Sequence, residues 1–456
     1  MKLRLGLAAS TLALVSTFTA TAFAQQPWIR DRSYGEGAGI RAGNLELHPS
    51  VAGEAGYDSN YFSRADTPAE PVVDVYRFRL TPSITMSTLG PQRRDATTPP
   101  PSLNFEAGAY AAGNLLIPAD SEGKDAVDPQ NVNVAGGASF QLDVLPQRPW
   151  GFDLYGDYQR KIEPNNGPVG DEAITNFSFD RDSVRLGAGV TARPGGGLFD
   201  WRLGYEVQFH LFERATFEEF NNARHYFKTR GRWKFFPRTA LMYEGSYGLI
   251  RYSNPTPQPD GETIDSQIGV NGLITYRFAL LAMGGWAASF YRDHTVNGFD
   301  INAQNYDDFV GHAELKFFLM PQPTLEAASA PVGLSTIALG YVRNFSPSYL
   351  GSFYRRDRGY LNFSYFIGGV AVIGVEGGYG VYSYPSSQIA TPPPNSFPEF
   401  SENRIDAQIF AEYRFSNSFG INTTLTYSQN MSDAEPYGDD LDYRRFQGFI
   451  GARWFM

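Results

Sequence analysis

One short stretch of the chain, residues 222–236, carries five cations of the same parity. They are Arg224, Lys228, Arg230, Arg232 and Lys234, and they alternate with Phe227, Trp233 and Phe235. Alternate residues of a β-strand point to the same side. The pattern therefore predicts a strand with a basic face and an aromatic face. Like charges along one face repel each other unless acids or a passing anion offset them.

Two interpretations of this basic face follow from its neighbours in the sequence. Glu206 and Glu244 lie at the matching parity of the strands predicted before and after it, which indicates a ladder of ion pairs across three strands. The other interpretation is a basic stripe that selects anionic solutes. The two interpretations are compatible, and the sequence leaves both open.

Tyrosines share the polar parity of several other predicted strands. The candidates are Tyr155, Tyr226, Tyr306, Tyr354 and Tyr360. Aromatic rings beside polar groups would give a sugar a surface to slide along. Alternatively, these rings fill space in the protein wall.

The sequence gives little indication of catalysis, metal binding or nucleic-acid binding. The five histidines are His48, His210, His225, His294 and His312, and none lies in a nucleophile motif. The chain has no Cys, no Cys/His metal spacing, no Walker A loop and no basic segment of the kind that binds nucleic acid. We expect no enzymatic activity, no cofactor, no metal site and no nucleic-acid partner.

The last fifteen residues, 442–456, predict how the strands are held together. Phe446, Ile450 and Trp454 share an apolar parity, opposite Arg445 and Gln447. The segment is long enough to cross a bilayer, which takes about 9–11 tilted residues. An unpaired sheet edge in lipid is too costly to persist, so this strand must pair with one near the N-terminus. We expect an all-β fold, a transmembrane antiparallel up-and-down β-barrel.

Composition and spacing agree with one barrel and its export. Lys2, Arg4, an apolar run and Ala22-Phe23-Ala24 predict a signal peptide at residues 1–24. A short periplasmic segment, 25–43, then precedes a barrel at 44–456. Aromatics make up 15% of the chain and Gly counts 47 residues, yet the mean hydropathy is −0.32. Strands that alternate apolar and polar residues explain this combination.

Turn signals divide the barrel into about eighteen strands, with strands ten and eleven at 263–278 and 280–292. Connections after odd strands are mostly long and polar, including the loops 163–177 and 385–400, which we expect outside the cell. The long even connections 89–101 and 321–332 are exceptions to this alternation. A soluble β-propeller or sandwich is the alternative, but it would not explain an apolar face on nearly every long strand.

Two short motifs resemble known families. The final residues Trp454, Phe455 and Met456 resemble the C-terminal assembly signal of bacterial outer-membrane barrels. The matching residues Gly39, Ile40, Arg41, Gly43, Pro49, Tyr57, Asp58 and Asn60 resemble the opening of the type 2 outer-membrane β-barrel porin family. Met456 departs from the final Phe that is usual for such a signal.

The resemblances imply a function, a location and partners. The location would be the bacterial outer membrane, and the partners its lipid, lipopolysaccharide and the barrel assembly machinery. Members of the porin family are linked to secreted polysaccharides, which implies an export channel with polysaccharide export proteins as partners. A general diffusion porin and a structural, adhesin-like barrel without transport are the alternatives.

Overall fold

The fold is taken from a computed structural model of the chain. The structure describes residues 39–66, 71–89, 102–121, 127, 131–162, 180–213, 215–253, 258–296, 299–301, 303–319, 335–348, 352–367, 370–389, 395–416, 418–433 and 441–456. The predicted signal peptide and the loop 163–177 lie outside these residues.

Eighteen long antiparallel strands form a closed barrel. In chain order they are β1 Leu45–Asp58, β2 Val75–Thr88, β3 Leu103–Pro118, β4 Val132–Val144, β5 Trp150–Lys161, β6 Arg181–Ala192, β7 Phe199–Phe212, β8 Asn222–Phe236, β9 Thr239–Tyr252, β10 Gly261–Leu273, β11 Phe278–Tyr291, β12 Tyr306–Phe318, β13 Thr336–Pro347, β14 Phe353–Ile367, β15 Ala371–Tyr384, β16 Phe400–Arg414, β17 Phe419–Ser432 and β18 Tyr443–Phe455. Each strand pairs with its neighbours in the chain. The pairing of β18 with β1, from Ser50 opposite Phe455 to Asp58 opposite Gln447, closes the ring.

The alternation in the sequence becomes the two faces of the wall. Outward positions carry large apolar side chains that remain exposed, such as Leu203 at 61% and Ile450 at 66%. Inward positions carry small, polar and charged side chains that bond to one another. This arrangement is the reverse of a soluble protein and matches a wall with lipid outside and water inside.

Two belts of aromatic residues border the outward apolar band. In the upper belt, ring O–H or N–H groups bond to polar groups beside them, as in the pairs Tyr158–Asp182, Tyr247–Glu262, Trp286–Asp307, Tyr341–Asp357 and Tyr379–Asn403. The lower belt includes Trp150, Trp233, Phe236, Tyr276, Phe278, Tyr413 and Phe415. Where a strand carries both belts, as from Trp150 to Tyr158, eight residues separate them. Such a span of tilted strand rises about 20 Å, close to the height of a membrane band.

The connections differ between the two ends of the barrel. At the end of the barrel where β1 begins and β18 ends, several turns are short, such as the 3₁₀ turn Pro194–Gly197 between β6 and β7. Gly195 and Gly197 take φ values of 70° and 90° there, a region that other residues rarely adopt. Connections at the opposite end are mostly longer. Two of them contain small hairpins, His294–Val296 with Phe299–Ile301 and Ser387–Ile389 with Asn395–Phe397.

The strand predictions need two corrections. The turn after β10 lies at residues 274–277, not at 279, because Thr275 hydroxyl and carbonyl groups bond to the main chain of Arg277 and Phe278. β10 accordingly ends at Leu273 and β11 begins at Phe278. Ile40–Ala42, assigned to the N-terminal segment, folds back as a short strand on the start of β1.

Among the described residues, no helix is long and apolar enough to cross a membrane.

Candidate functional site: the inward wall

The inward side of β7 and β8 carries alternating ion pairs. The Lys228 ammonium donates to Glu206 Oε1 at 2.8 Å, and the Arg232 guanidinium donates to Asp200 through Nε at 2.6 Å. Arg224 Nε donates to Asn222 Oδ1 on its own strand at 2.9 Å. Two of the five predicted cations therefore contact carboxylates of the preceding strand directly.

The ion pairs continue across β5 and β6. Arg202 on β7 holds Asp153 on β5 with two hydrogen bonds, Nε to Oδ1 at 2.9 Å and Nη2 to Oδ2 at 2.5 Å. They cross over Gly189 of β6, where a Cβ would lie 2.5 Å from Arg202 Nη2. We call the inward set Asp153, Asp157, Arg185, Asp200, Arg202, Glu206, Arg224, Lys228, Arg230, Arg232 and Glu244 the charged ladder. Within it, Arg185 Nε also donates to Asp157 Oδ1 at 2.5 Å.

The two remaining cations of the predicted stripe differ from their neighbours. Arg230 lies opposite Glu244 in the β8–β9 register and opposite Arg202 in the β7–β8 register. Among the described residues it makes no hydrogen bond to a carboxylate. Lys234 is exposed near the end of β8. The charged ladder thus combines bases with acids along most of its length, so it is not a uniformly basic surface.

Water reaches the charged ladder. The side chains of Arg185 and Asp157 are 31% and 33% exposed, and that of Lys228 is 35% exposed. These side chains point away from the lipid face, because Leu186 and Tyr158 of the same strands occupy the outward positions. The interior of the barrel is therefore accessible to solvent beside β5–β8.

A second group of inward charges lies where β18 meets β1 and is almost fully buried. Asp58, with 0% of its side chain exposed, accepts hydrogen bonds from Arg445 Nε at 2.9 Å and Nη2 at 2.5 Å, and from Gln447 Nε2 at 2.8 Å. Arg77 of β2 approaches the same carboxylate at 3.5 Å. We call Glu54, Asp58, Arg77, Arg79, Arg445 and Gln447 the seam cluster. It joins the first two strands to the last.

An aromatic ring fills the space beside the seam cluster. Phe449 crosses over Gly56, where a Cβ would come within 2.2 Å of the ring. The guanidinium groups of Arg77 and Arg79 lie 5.4 Å and 5.3 Å from the ring centroid, a distance at which a cation is attracted to the ring. Arg79 also donates to Glu54 at 2.9 Å. Closure of the barrel here depends on charge, packing and main-chain pairing together.

The loop after β1 covers the seam cluster. Asn60 Nδ2 donates to the main-chain oxygens of Arg64 and Arg444 at 2.7 Å and 3.2 Å. Tyr61 is buried in this loop, and burial raises its pKa to about 12, so the phenol stays neutral. Tyr57, Asp58 and Asn60 supplied the resemblance at the start of the chain. The structure places Asp58 and Asn60 at the junction with β18.

The predicted C-terminal signal divides between the two faces. Trp454 lies on the outward face opposite Val51, and Met456 is 40% exposed. Phe455 points inward and is buried between Arg414 and Arg453, whose guanidinium carbons lie 4.5 Å and 5.1 Å from the ring centroid. The Met456 amide donates to the Pro49 carbonyl at 3.1 Å. A role in assembly stays a prediction for these three residues.

The predicted inward tyrosines are mostly engaged with other protein groups. Tyr306 stacks on Phe345 with centroids 4.4 Å apart, and Tyr354 packs against Tyr382 and Tyr384. Tyr306 and Tyr354 are only 4% and 2% exposed. These two residues fill space in the wall.

The other three tyrosines are bound to charged side chains. The hydroxyl of Tyr155 donates to Glu206 at 2.6 Å, and the ring of Tyr226 lies 5.3 Å from Lys228 Nζ. Tyr360 donates to Glu314 at 2.8 Å and contacts His312 Nε2 at 2.9 Å. They hold charged groups of the inward wall in place.

One histidine contact joins β7 to β6. His210 Nδ1 lies 3.1 Å from Ser183 Oγ, a contact that the sequence did not suggest. Asn222, opposite His210 in the β7–β8 register, accepts a hydrogen bond from Arg224. No group of three metal-ligating side chains occurs among the described residues.

The closed ring of antiparallel strands, the outward apolar band between aromatic belts and the polar interior define the fold of an outer-membrane β-barrel. No family model matches the chain, and no curated protein matches its sequence. The type 2 porin resemblance therefore rests on its short motif alone.

Solved structures of porins are similar to this chain in fold. A BenF-like porin from Pseudomonas fluorescens matches 91% of this chain and 99% of its own at a TM-score of 0.47 and 8% identity. OpdK from Pseudomonas aeruginosa, solved with vanillate, matches 90% of this chain and 99% of its own at a TM-score of 0.43 and 11% identity. OccAB4 from Acinetobacter baumannii matches 90% of this chain and 98% of its own at a TM-score of 0.41 and 10% identity.

Proposed function

We propose that the protein is an outer-membrane channel through which small polar solutes pass along the charged ladder. The observation that carries the proposal is the solvent exposure of inward charges on β5–β8, which contrasts with the buried charges of the seam cluster. Barrels of about 16–18 strands are wide enough to enclose an aqueous passage. Alternating acids and bases would bind water and polar solutes while excluding apolar ones.

Single cysteines test this pathway directly, because the chain has no Cys of its own. Gln208→Cys places a thiol on the inward side of β7 within the charged ladder. The matched control, Leu203→Cys, places one on the lipid side of the same strand. In planar bilayers we expect open conductance steps from both variants, and a charged, membrane-impermeant thiol reagent should change the conductance of Gln208→Cys only.

Silence in the same bilayers would contradict transport. A barrel that migrates as a folded, heat-modifiable band but shows neither conductance steps nor solute uptake would favour the structural, adhesin-like alternative. Equal reagent effects on the two cysteine variants would place the pathway elsewhere in the barrel.

Polysaccharide export, which the N-terminal resemblance implies, stays a narrower prediction. Tyr306 and Tyr354 are buried against other rings, so they do not offer the open aromatic surface that a sugar chain would need. A diffusion channel for small solutes requires no such surface. Uptake of neutral sugars of graded size into proteoliposomes separates the two, since a diffusion channel should show a sharp size limit.

A further inference from the structure

Two inward charged residues, Arg230 on β8 and Asp265 on β10, form no ion pair with any of the described residues. Arg230 has a buried Nη1 that forms no hydrogen bond with the described residues. Asp265 on β10 accepts hydrogen bonds only from Gln267 Nε2, at 3.1 Å to each carboxylate oxygen, and no cation of the described residues pairs with it. Arg230 and Asp265 therefore both face the lumen, but they do not pair with each other.

The other cations around Arg230 are paired with acids of their own. Lys228 is held by Glu206, Arg232 by Asp200 and Arg202 by Asp153, so these cations are committed to strands on the far side of Arg230. Glu244 lies opposite Arg230 in register and adds a second carboxylate on the side of Asp265. The charge of the inward wall therefore changes from positive at Arg230 on β8 to negative at Glu244 and Asp265 on β9 and β10.

The register fixes the spacing of the pair. Arg230 is opposite Glu244 of β9, and Asp265 is opposite Ser246 two residues further along β9. Two strand spacings and a two-residue offset put the Cα atoms of Arg230 and Asp265 about 12 Å apart. The long Arg230 side chain shortens the gap between the charged ends. Ser246 of β9, which lies between Lys228 and Asp265 in the register, has a small side chain.

We propose that Arg230 and Asp265 form a weak binding site for small zwitterions, such as α-amino acids, within the channel. The solute carboxylate would bind the Arg230 guanidinium, and its ammonium group would bind Asp265 with help from Glu244. Opposite charges on one small molecule satisfy both groups at once, which neither a dicarboxylate nor a sugar can do. The inference rests on the proposed channel function and names the solute class of the same pathway.

Liposome swelling with L-glutamine and arabinose tests the site, because both solutes have no net charge and are similar in size. We expect Arg230→Gln and Asp265→Asn each to lower the glutamine rate relative to arabinose by about threefold to tenfold, as for a lost charge-assisted contact in a hydrated site. The double variant should be little worse than either single variant, since each residue holds one end of the same molecule.

Two matched variants control for a general change of lumen charge. Lys234→Gln removes a cation at the exposed end of β8. Asp143→Asn removes an inward carboxylate that accepts from Gln141, much as Asp265 accepts from Gln267. Equal loss of glutamine preference in these controls, or equal glutamine and arabinose effects in the site variants, would overturn the zwitterion site. Wild-type protein that passes neither solute would instead refute the channel itself.

Discussion

The seam cluster and the charged ladder consist of the same residue types, yet they differ in access to water. At the seam, Asp58 and Arg445 are 0% and 4% exposed, and the carboxylate accepts from several donors. In the charged ladder, Asp157 and Arg185 are each about a third exposed and share one short contact. Inward-facing charge therefore serves two purposes in this barrel. Where water is excluded it joins strands, and where water enters it remains hydrated and, in the proposed channel, would contact solutes.

The largest expected effect is the loss of the seam carboxylate. Asp58→Ala removes the buried carboxylate that Arg445 and Arg77 share, which should cost about 3–5 kcal/mol of unfolding free energy. The matched ladder variant, Asp157→Ala, should cost at most about 1 kcal/mol because water solvates the remaining Arg185. Urea titration of heat-modifiable migration measures both. Equal losses would show that the two regions do not differ as proposed.

Lipid-facing substitutions should have similar effects in both regions, since lipid surrounds each of them. Ile450→Arg at the seam and Leu203→Arg beside the ladder should each cost about 2–4 kcal/mol near the midplane. The inward partner Gln208→Arg should cost far less, because its side chain reaches water. Gln447, although inward, would not serve as such a control, since it is buried and donates to Asp58. Folding of Leu203→Arg at the wild-type stability would contradict the assignment of faces.

Packing at the seam gives a third, smaller effect. Gly56→Val would force the Phe449 ring away from Arg77 and Arg79, at a cost of about 1–3 kcal/mol. Gly53→Ala on the same strand is the control, since a Cβ there meets nothing within 4 Å. The two variants can be compared by the same urea titration. A cost for Gly53→Ala as large as that for Gly56→Val would point to β1 backbone effects and away from the ring.

The smallest effect on stability, and the clearest effect on transport, is expected from replacing four cations of β8. Replacing Lys228, Arg230, Arg232 and Lys234 by Gln leaves the ladder acids in excess, so the reversal potential should shift toward cations. The shift should shrink in high salt, as the Debye length falls from about 10 Å at 0.1 M to about 3 Å at 1 M. Glu206 keeps donors from Tyr155 and Gln208, so the barrel should still fold. Lower stability with unchanged selectivity would mean that the ladder is purely structural.

Strand periodicity by itself determined most of the fold. The alternation along 222–236 and 442–456 specified strands, faces and parity, because a side-chain period of two leaves no other way to separate lipid from water. Closure followed from the cost of an open edge in lipid. Turn positions were weaker, as at residues 274–277, where hydrogen bonds of a single threonine decide the end of β10.

Partners across strands were decided by the tertiary structure. Glu206 and Lys228 share a parity that the sequence shows, but the Arg202–Asp153 pair crosses over a glycine of the strand between them, which no local pattern reveals. Asp58 and Arg445 are 387 residues apart, and they meet only because the barrel closes. The sequence by itself determined which side of the wall each charge occupies. Register and closure decided which charges are buried in the seam and which line the open wall, because burial depends on what the rest of the chain places over them.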